Sequence, residues 1–162
     1  METANPTTWN EAAEISASYI YSIVRDKPKI NVGMLRTAHN KFIDEHFKDP
    51  NGPVMIALWA STGASALELA TKTDNSISKT ILVKTLCKKQ HDYGVHNILR
   101  FGQQGLLIRV WDKISRLENL ERKTKNPQVA NESQIDTMLD IAGYATIGIM
   151  LERGWFRLPL TG

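Results

Sequence analysis

Three acidic residues in the last third of the chain have a spacing that suits metal chemistry. Glu132, Asp136 and Asp140 recur at every fourth position, which on an α-helix places them along one stripe, about 6 Å apart along the axis. Two unpaired carboxylates at that distance repel each other by about 3 kcal/mol at an effective dielectric constant near 20. Because oxygen ligands on adjacent turns suit Mg²⁺ or Mn²⁺, we interpret the stripe as a candidate metal site. Pairing with arginines and the helix dipole is the alternative.

A second polar stripe, on the helix predicted before these acids, is mostly basic. Its members are Arg109, Asp112, Arg116 and Asn119, with Lys113 at its edge, opposite an apolar arc. We expect Asp112 to face the acids as a further ligand. The basic side chains are expected to meet phosphate oxygens, the arginines through a bidentate fork. The alternative is a solvated ladder of ion pairs that contributes only a few tenths of a kcal/mol.

Residues 88–97 combine hydrogen-bond donors, an acid and an aromatic ring around a glycine, Gly94, that is predicted to end a helix. This composition is typical of a binding loop. Tyr93 is predicted to stack on a base and Asn97 to contact a base or sugar edge. A tyrosine buried with its hydroxyl satisfied is the alternative.

The elements that must position these residues are helices, because apolar residues recur at three- and four-residue spacing almost throughout. We predict an all-α bundle of about five to six helices, at about 8–25, 31–47, 54–72, 77–92, 103–123 and 132–152. Thr8 and Glu11 match a capping box, Asn75 or Ser76 is predicted to cap the fourth helix, and Gly154 to end the last. The Pro/Gly-rich cluster at 49–53 predicts a loop. A single domain is expected over 1–162, with a helical hairpin over 1–50 and the catalytic-like core over 54–160.

Composition excludes several classes of protein. Lys and Arg number 20 against 17 Asp and Glu, and Cys87 is the single cysteine, so an intrachain disulfide and a zinc ribbon are ruled out. Signatures of phosphate loops, zinc proteases and serine hydrolases are absent from the sequence. Without a leader or an apolar run long enough to span a bilayer, we expect a cytoplasmic protein with no membrane partner. The clustered acids argue against a stable nucleic-acid complex.

Four motifs follow one another over about residues 85–152. They are Lys89-x-x-Asp92-Tyr93-Gly94-x-x-Asn97, Phe101-Gly102, Arg109-x-x-Asp112-Lys113-x-x-Arg116-Leu117-x-Asn119-Leu120 and Glu132-x-x-x-Asp136-Thr137-x-x-Asp140-x-x-Gly143-Tyr144. In this order they resemble the nucleotide-modification-associated domain family, which is common in bacteriophages. That family is similar to the MazG-like all-α nucleoside triphosphate pyrophosphohydrolases.

The resemblance implies a MazG-like bundle that forms a homodimer or larger homo-oligomer, in the host cytoplasm if phage-encoded. It implies hydrolysis of a (deoxy)nucleoside triphosphate between the α- and β-phosphates, giving a monophosphate and pyrophosphate, with Mg²⁺ or Mn²⁺ as cofactor. The implied metal ligands are Asp112, Glu132, Asp136 and Asp140, of which Asp112 and Asp136 are assigned as catalytic. The implied substrate-binding residues are Lys89, Asp92, Tyr93, Asn97, Arg109, Lys113, Arg116, Asn119 and Tyr144.

The sequence departs from its relatives at the acids themselves. The ExxE followed by ExxD of the better-known branch is not present literally, because Arg109 and Lys113 flank Asp112 and the last pair is Asp136-x-x-x-Asp140. A non-catalytic nucleotide-binding module involved in nucleotide modification is therefore the alternative function.

Overall fold

The computed structural model describes residues 5–26, 29–48, 52–74, 76–123 and 127–161, except the side chains of 52–54, 123 and 127–133. Within these ranges all regular secondary structure is helical, which confirms the predicted fold class. The helices are α1 (Trp9–Ser22), α2 (Val32–Lys48), α3 (Gly52–Thr73), α4 (Lys79–Tyr93), α5 (His96–Leu99), α6 (Gly102–Lys123) and α7 (Pro127–Glu152).

The start of α1 follows the predicted cap with one change. The Thr8 hydroxyl accepts a hydrogen bond from the Glu11 backbone N–H at 3.1 Å. The Glu11 carboxylate reaches back to the backbone N–H of Thr7, at 3.2 Å, so the reciprocal bond lies one residue before the cap. The helix ends at Ser22, earlier than the predicted 25, because the Ile23 N–H bonds to the Ile20 carbonyl in a tightened last turn.

The cap of α4 is Ser78, so the prediction of Ser76 was wrong, and Asn75 lies outside the described residues. Ser76 is engaged elsewhere, since its backbone N–H and hydroxyl both donate to the Asp74 carboxylate, at 2.9 and 2.7 Å. The other end agrees with expectation. Gly94, at φ +69°, follows the last helical residue, and its N–H bonds to the Gln90 carbonyl at 2.8 Å.

Three further boundaries differ from the sequence prediction. Gly52 and Pro53 belong to the first turn of α3 and not to a loop, while residues 49–51 lie outside the described ranges. Helix α7 begins at Pro127, five residues earlier than predicted, because proline is well tolerated where the helix has no N–H partner to lose. The short helix α5 was not predicted. Gly154 follows the end of α7 as expected.

Helices α3 and α7 form the most extensive contact between two elements and lie at the centre of the core. Helix α1 packs on α3, α4 and α7, whereas α2 packs on α3 and α6. The first two helices thus have largely different neighbours, and the expected hairpin over 1–50 is replaced by two helices packed separately on the core. A single cluster of buried side chains runs from Trp9 to Phe156.

The indole of Trp59 fixes the central helix pair. Trp59 is completely buried on α3, its N–H donates to the Gln103 side chain, and the Gln103 amide donates to the Gly148 carbonyl at 3.0 Å. Phe42 packs edge-on against the indole, with ring centroids 4.5 Å apart. Helices α2, α3, α6 and α7 are therefore tied together at this point.

A buried acid on α3 holds the segment that follows α1. The Glu68 side chain is almost fully buried, and the Arg25 guanidinium contacts both of its oxygens, with Nε to Oε1 at 3.0 Å. The same contact raises the pKa of Arg25. Among the helices that the structure describes, none combines the length and hydropathy needed to span a bilayer.

Candidate functional site

A cavity of about 380 Å³ lies between the last part of α4, α5, α6 and the middle of α7. We call it the α4–α7 cavity. Apolar side chains supply much of its wall, including Leu82 and Leu86 from α4, Ile98 from α5, and Leu139 and Ile147 from α7. Such a largely apolar concavity with a few polar groups is the usual form of a small-molecule site.

Most of the substrate-binding residues predicted from the sequence meet in this cavity, although three different helices and a short fourth one carry them. They are Lys89 and Tyr93 from α4, Asn97 from α5, Arg109 and Lys113 from α6, and Tyr144 from α7. Tyr93 is 70% exposed, so the alternative of a buried tyrosine is wrong. The Arg109 guanidinium lies 6.0 Å from the centre of the Tyr144 ring.

The remaining basic residues lie in an adjoining depression on α6. This wider, more open depression of about 590 Å³ shares Arg109, Lys113 and Tyr144 with the cavity and adds Asp112, Arg116 and Asn119. Within the described part of the chain, Asp112 forms no ion pair with Arg109 or Arg116, so the ladder proposed as the alternative does not form. The basic stripe instead connects two concave surfaces.

Asp140 is the acid that faces the cavity. Its Oδ1 lies 2.9 Å from the Lys89 Nζ, and its Oδ2 lies 3.0 Å from the Lys113 Nζ. Each carboxylate oxygen therefore takes one ammonium group, one from α4 and one from α6. The partners are lysines, where the sequence-based alternative named arginines.

The other acids of the predicted metal site form no three-membered metal-binding group with Asp140 in the described part of the chain. Asp136 and Asp112 are exposed, and the side chain of Glu132 lies outside the description. Among the described side chains no group of three or more His, Cys, Asp or Glu is placed to hold a metal ion. Convergence of the four acids on one ion stays a prediction.

Asp92 is the predicted substrate-binding residue that lines neither concave surface. Its exposed carboxylate lies 3.5 Å from the Nδ1 of its neighbour His91. On α4, Asp92 lies about 100° around the helix axis from its neighbour Tyr93, which places it at the edge of the face that lines the cavity.

Sequence reasoning missed Gln90, Thr85 and the apolar wall of α4. Together with Lys89 and Tyr93 they repeat at three- and four-residue spacing over 82–93. This periodicity was the available signal. It was overlooked because residues 88–97 were interpreted together as a binding loop, although the fourth helix was predicted to reach residue 92 and α4 ends at Tyr93.

Comparisons with protein-family models, with curated proteins and with solved structures found no match to this chain.

Proposed function

We propose that this protein binds a nucleoside triphosphate, ribo or deoxy, in the α4–α7 cavity. The observation that carries the proposal is the convergence of Lys89, Arg109 and Lys113 with Tyr93 and Tyr144 on one largely apolar cavity. Cationic donors recognise phosphate oxygens, and aromatic and apolar side chains recognise a base. The two kinds of group required by a nucleotide are therefore adjacent.

The positions of these groups suggest how the ligand is oriented. The apolar wall favours the base inside the cavity, and Arg109 and Lys113, which belong to both concave surfaces, favour the phosphates at the junction. Arg116 and Asn119 extend the polar surface along α6 beyond that junction. A chain of several phosphates fits this arrangement better than a single one.

Titration of the protein with each of the eight common nucleoside triphosphates tests the proposal. We expect saturable binding of at least one, measured by calorimetry, and a weakening by about tenfold or more in Lys113→Gln, because a charge-assisted hydrogen bond to phosphate is lost. Lys41→Gln is the matched control, since Lys41 is exposed on α2, away from the cavity. Absence of binding by every nucleotide, or equal weakening in both variants, contradicts the proposal.

A second candidate is hydrolysis of the bound triphosphate to a monophosphate and pyrophosphate. Asp140 lies among the cavity's cations, and Asp112 lies in the adjoining depression. A bound Mg²⁺ or Mn²⁺ would supply water activation and charge neutralisation. Asp140 would hold it together with Asp112, Asp136 or Glu132. Both Asp140 oxygens bond to lysines, however, so this carboxylate is a metal ligand only where those contacts are exchanged.

Turnover assays separate the two candidates. For a hydrolase we expect monophosphate and pyrophosphate as products with Mg²⁺ or Mn²⁺, and their loss in Asp136→Asn and Asp112→Asn with metal-free nucleotide binding retained. Chromatography of the reaction mixture identifies the products. Saturable binding without turnover selects the non-catalytic module, and inorganic phosphate as the sole product contradicts pyrophosphohydrolysis.

Assembly into a homodimer or larger oligomer stays a prediction. The exposed apolar side chains of Phe47, Ile108 and Trp111, between α2 and α6, offer a surface for it.

A further inference from the structure

Lys89, Asp140 and Lys113 form a three-membered ion bridge across the α4–α7 cavity. The contacts are 2.9 Å from Lys89 Nζ to Oδ1 and 3.0 Å from Lys113 Nζ to Oδ2. Each lysine comes from a different helix, and the carboxylate belongs to a third. We call this arrangement the Lys–Asp–Lys bridge.

The side chains of the bridge are partly buried. The exposed fractions of the side chains are 25% for Asp140, 30% for Lys113 and 51% for Lys89. Two of the three cationic side chains that line the cavity thus already hold a negatively charged partner. The third, Arg109, lies against the Tyr144 ring.

The cavity lining carries three positive charges and one negative charge, from Lys89, Arg109, Lys113 and Asp140. We infer that Asp140 is an internal counter-ion, which a phosphate group of the ligand replaces on Lys89 and Lys113. This inference rests on the proposed binding of a phosphate-bearing ligand. It gives Asp140 a role opposite in sign to that of a metal ligand, because its charge then opposes ligand binding.

The exchange has a consequence for specificity. A carboxylate and a phosphate accept the same charge-assisted hydrogen bonds from an ammonium group, but a phosphate at neutral pH carries close to two negative charges and three acceptor oxygens. A singly charged anion that displaces Asp140 offers the two lysines no more negative charge than the carboxylate did. A polyphosphate offers them more. The bridge therefore selects polyanionic phosphates over monoanionic ligands.

Removal of the Asp140 charge should strengthen the binding of metal-free polyphosphate. For Asp140→Asn we expect the dissociation constant of inorganic tripolyphosphate, measured by calorimetry in EDTA, to fall about threefold to tenfold. This range corresponds to the loss of one partly solvated like charge close to the ligand. The side chain is nearly isosteric, so the shape of the cavity is kept.

Asp44→Asn is the matched control, because it removes the same charge from an exposed site on α2. Its affinity for tripolyphosphate should equal that of the wild type. Asp140→Ala is the second variant, used if the asparagine lowers the thermal midpoint enough to disturb the measurement, and it should also bind more tightly.

The outcomes distinguish this inference from the proposed function. Tighter binding by the Asp140 variants alone supports the inference. If the wild type binds, Lys113→Gln binds more weakly and the Asp140 variants bind equally or more weakly than the wild type, the inference fails while the phosphate site stands. If neither the wild type nor any Asp140 variant binds tripolyphosphate or a nucleotide, the proposed function fails and the inference with it.

Discussion

Acidification from pH 7 to pH 5 is expected to lower the free energy of unfolding by about 2 kcal/mol through His39 alone, and by about 3 kcal/mol at pH 4. The cause is the burial of this imidazole on α2, which lowers its pKa from 6.5 to about 4. The positive charge of Arg36 lowers the pKa further, whereas the bond to Leu107 acts in the opposite direction.

The contacts of His39 explain why it is buried in the neutral form. Its Nε2 lies 3.0 Å from the Leu107 carbonyl oxygen, so Nε2 carries the proton and donates. Its Nδ1 is buried with no hydrogen-bond partner in the described part of the chain. A proton added at Nδ1 would create a charge in contact with Phe42 and Trp111, whose ring centroids lie 6.3 and 6.2 Å away.

The direction of the pH effect follows from proton binding. Between pH 6.5 and pH 4 the unfolded chain binds a proton at His39 that the folded chain does not, so acid favours unfolding. The lowered pKa of Glu118, bonded to Arg36, also destabilises the fold in acid, but only nearer its ordinary value of 4.5. Burial raises the pKa of Glu152, which acts in the opposite sense.

Urea unfolding curves at pH 7, 6 and 5 measure the effect. His39→Gln is the informative variant, because its amide donates to the Leu107 carbonyl but does not titrate. Stability of the variant should be nearly independent of pH between 7 and 5. Equal pH dependence in wild type and variant would contradict the assignment to His39.

Gly148→Ala is expected to lower the free energy of unfolding by about 3 kcal/mol, the upper part of the range for overpacking a core. A Cβ atom at this position of α7 would lie within 3.0 Å of three indole atoms of Trp59. The indole has no room to withdraw, because Gln103 holds its N–H and Phe42 packs on its face. The clash must therefore separate α3 from α7.

Chemical denaturation of two comparison variants tests this explanation. Gly33→Ala makes the same substitution at an exposed position of α2, where the nearest atom to the new Cβ is the Asn31 Oδ1 at 3.3 Å. Its cost should therefore stay well below that of Gly148→Ala, since alanine is also the better helix former. In a Trp59→Leu background, Gly148→Ala should cost much less, because the indole atoms that the new Cβ would meet are gone. If Gly148→Ala lowers the free energy of unfolding equally in that background, contact with the Trp59 indole is not the cause.

Long helices with a clear polar and apolar face were predicted well from the sequence. Helix α6 begins at Gly102, one residue before the predicted start, and ends at 123 as predicted. A short helix and the start of another were predicted poorly. Helix α5 has four residues, too few to show a period. The cap of α4 depends on a contact that the sequence does not display. The Asp74 carboxylate accepts hydrogen bonds from Ser76, and Ser78 caps the helix.

Most residues of the candidate site were predicted from the sequence, but the contacts between them were not. Lys89 and Lys113 were both assigned to substrate binding, because each belongs to a polar stripe or segment that the sequence itself displays. That both contact Asp140 depends on how α4, α6 and α7 are placed against one another, and no local pattern contains that information. Repulsion among acids spaced four residues apart suggested a bound metal ion. At Asp140 the negative charge is neutralised by two lysine side chains instead.

Helix α7 serves the core and the cavity with adjacent faces. Its completely buried Ile141, Ala145 and Ile149 belong to the core, while Gly143 and Tyr144 line the cavity. A substitution on α7 can therefore disturb either the packing of the core or the lining of the cavity. Tyr93 and Asn97, which are exposed on α4 and α5, are free of the core-packing constraint, so homologues that diverge in ligand preference should differ first at these two positions.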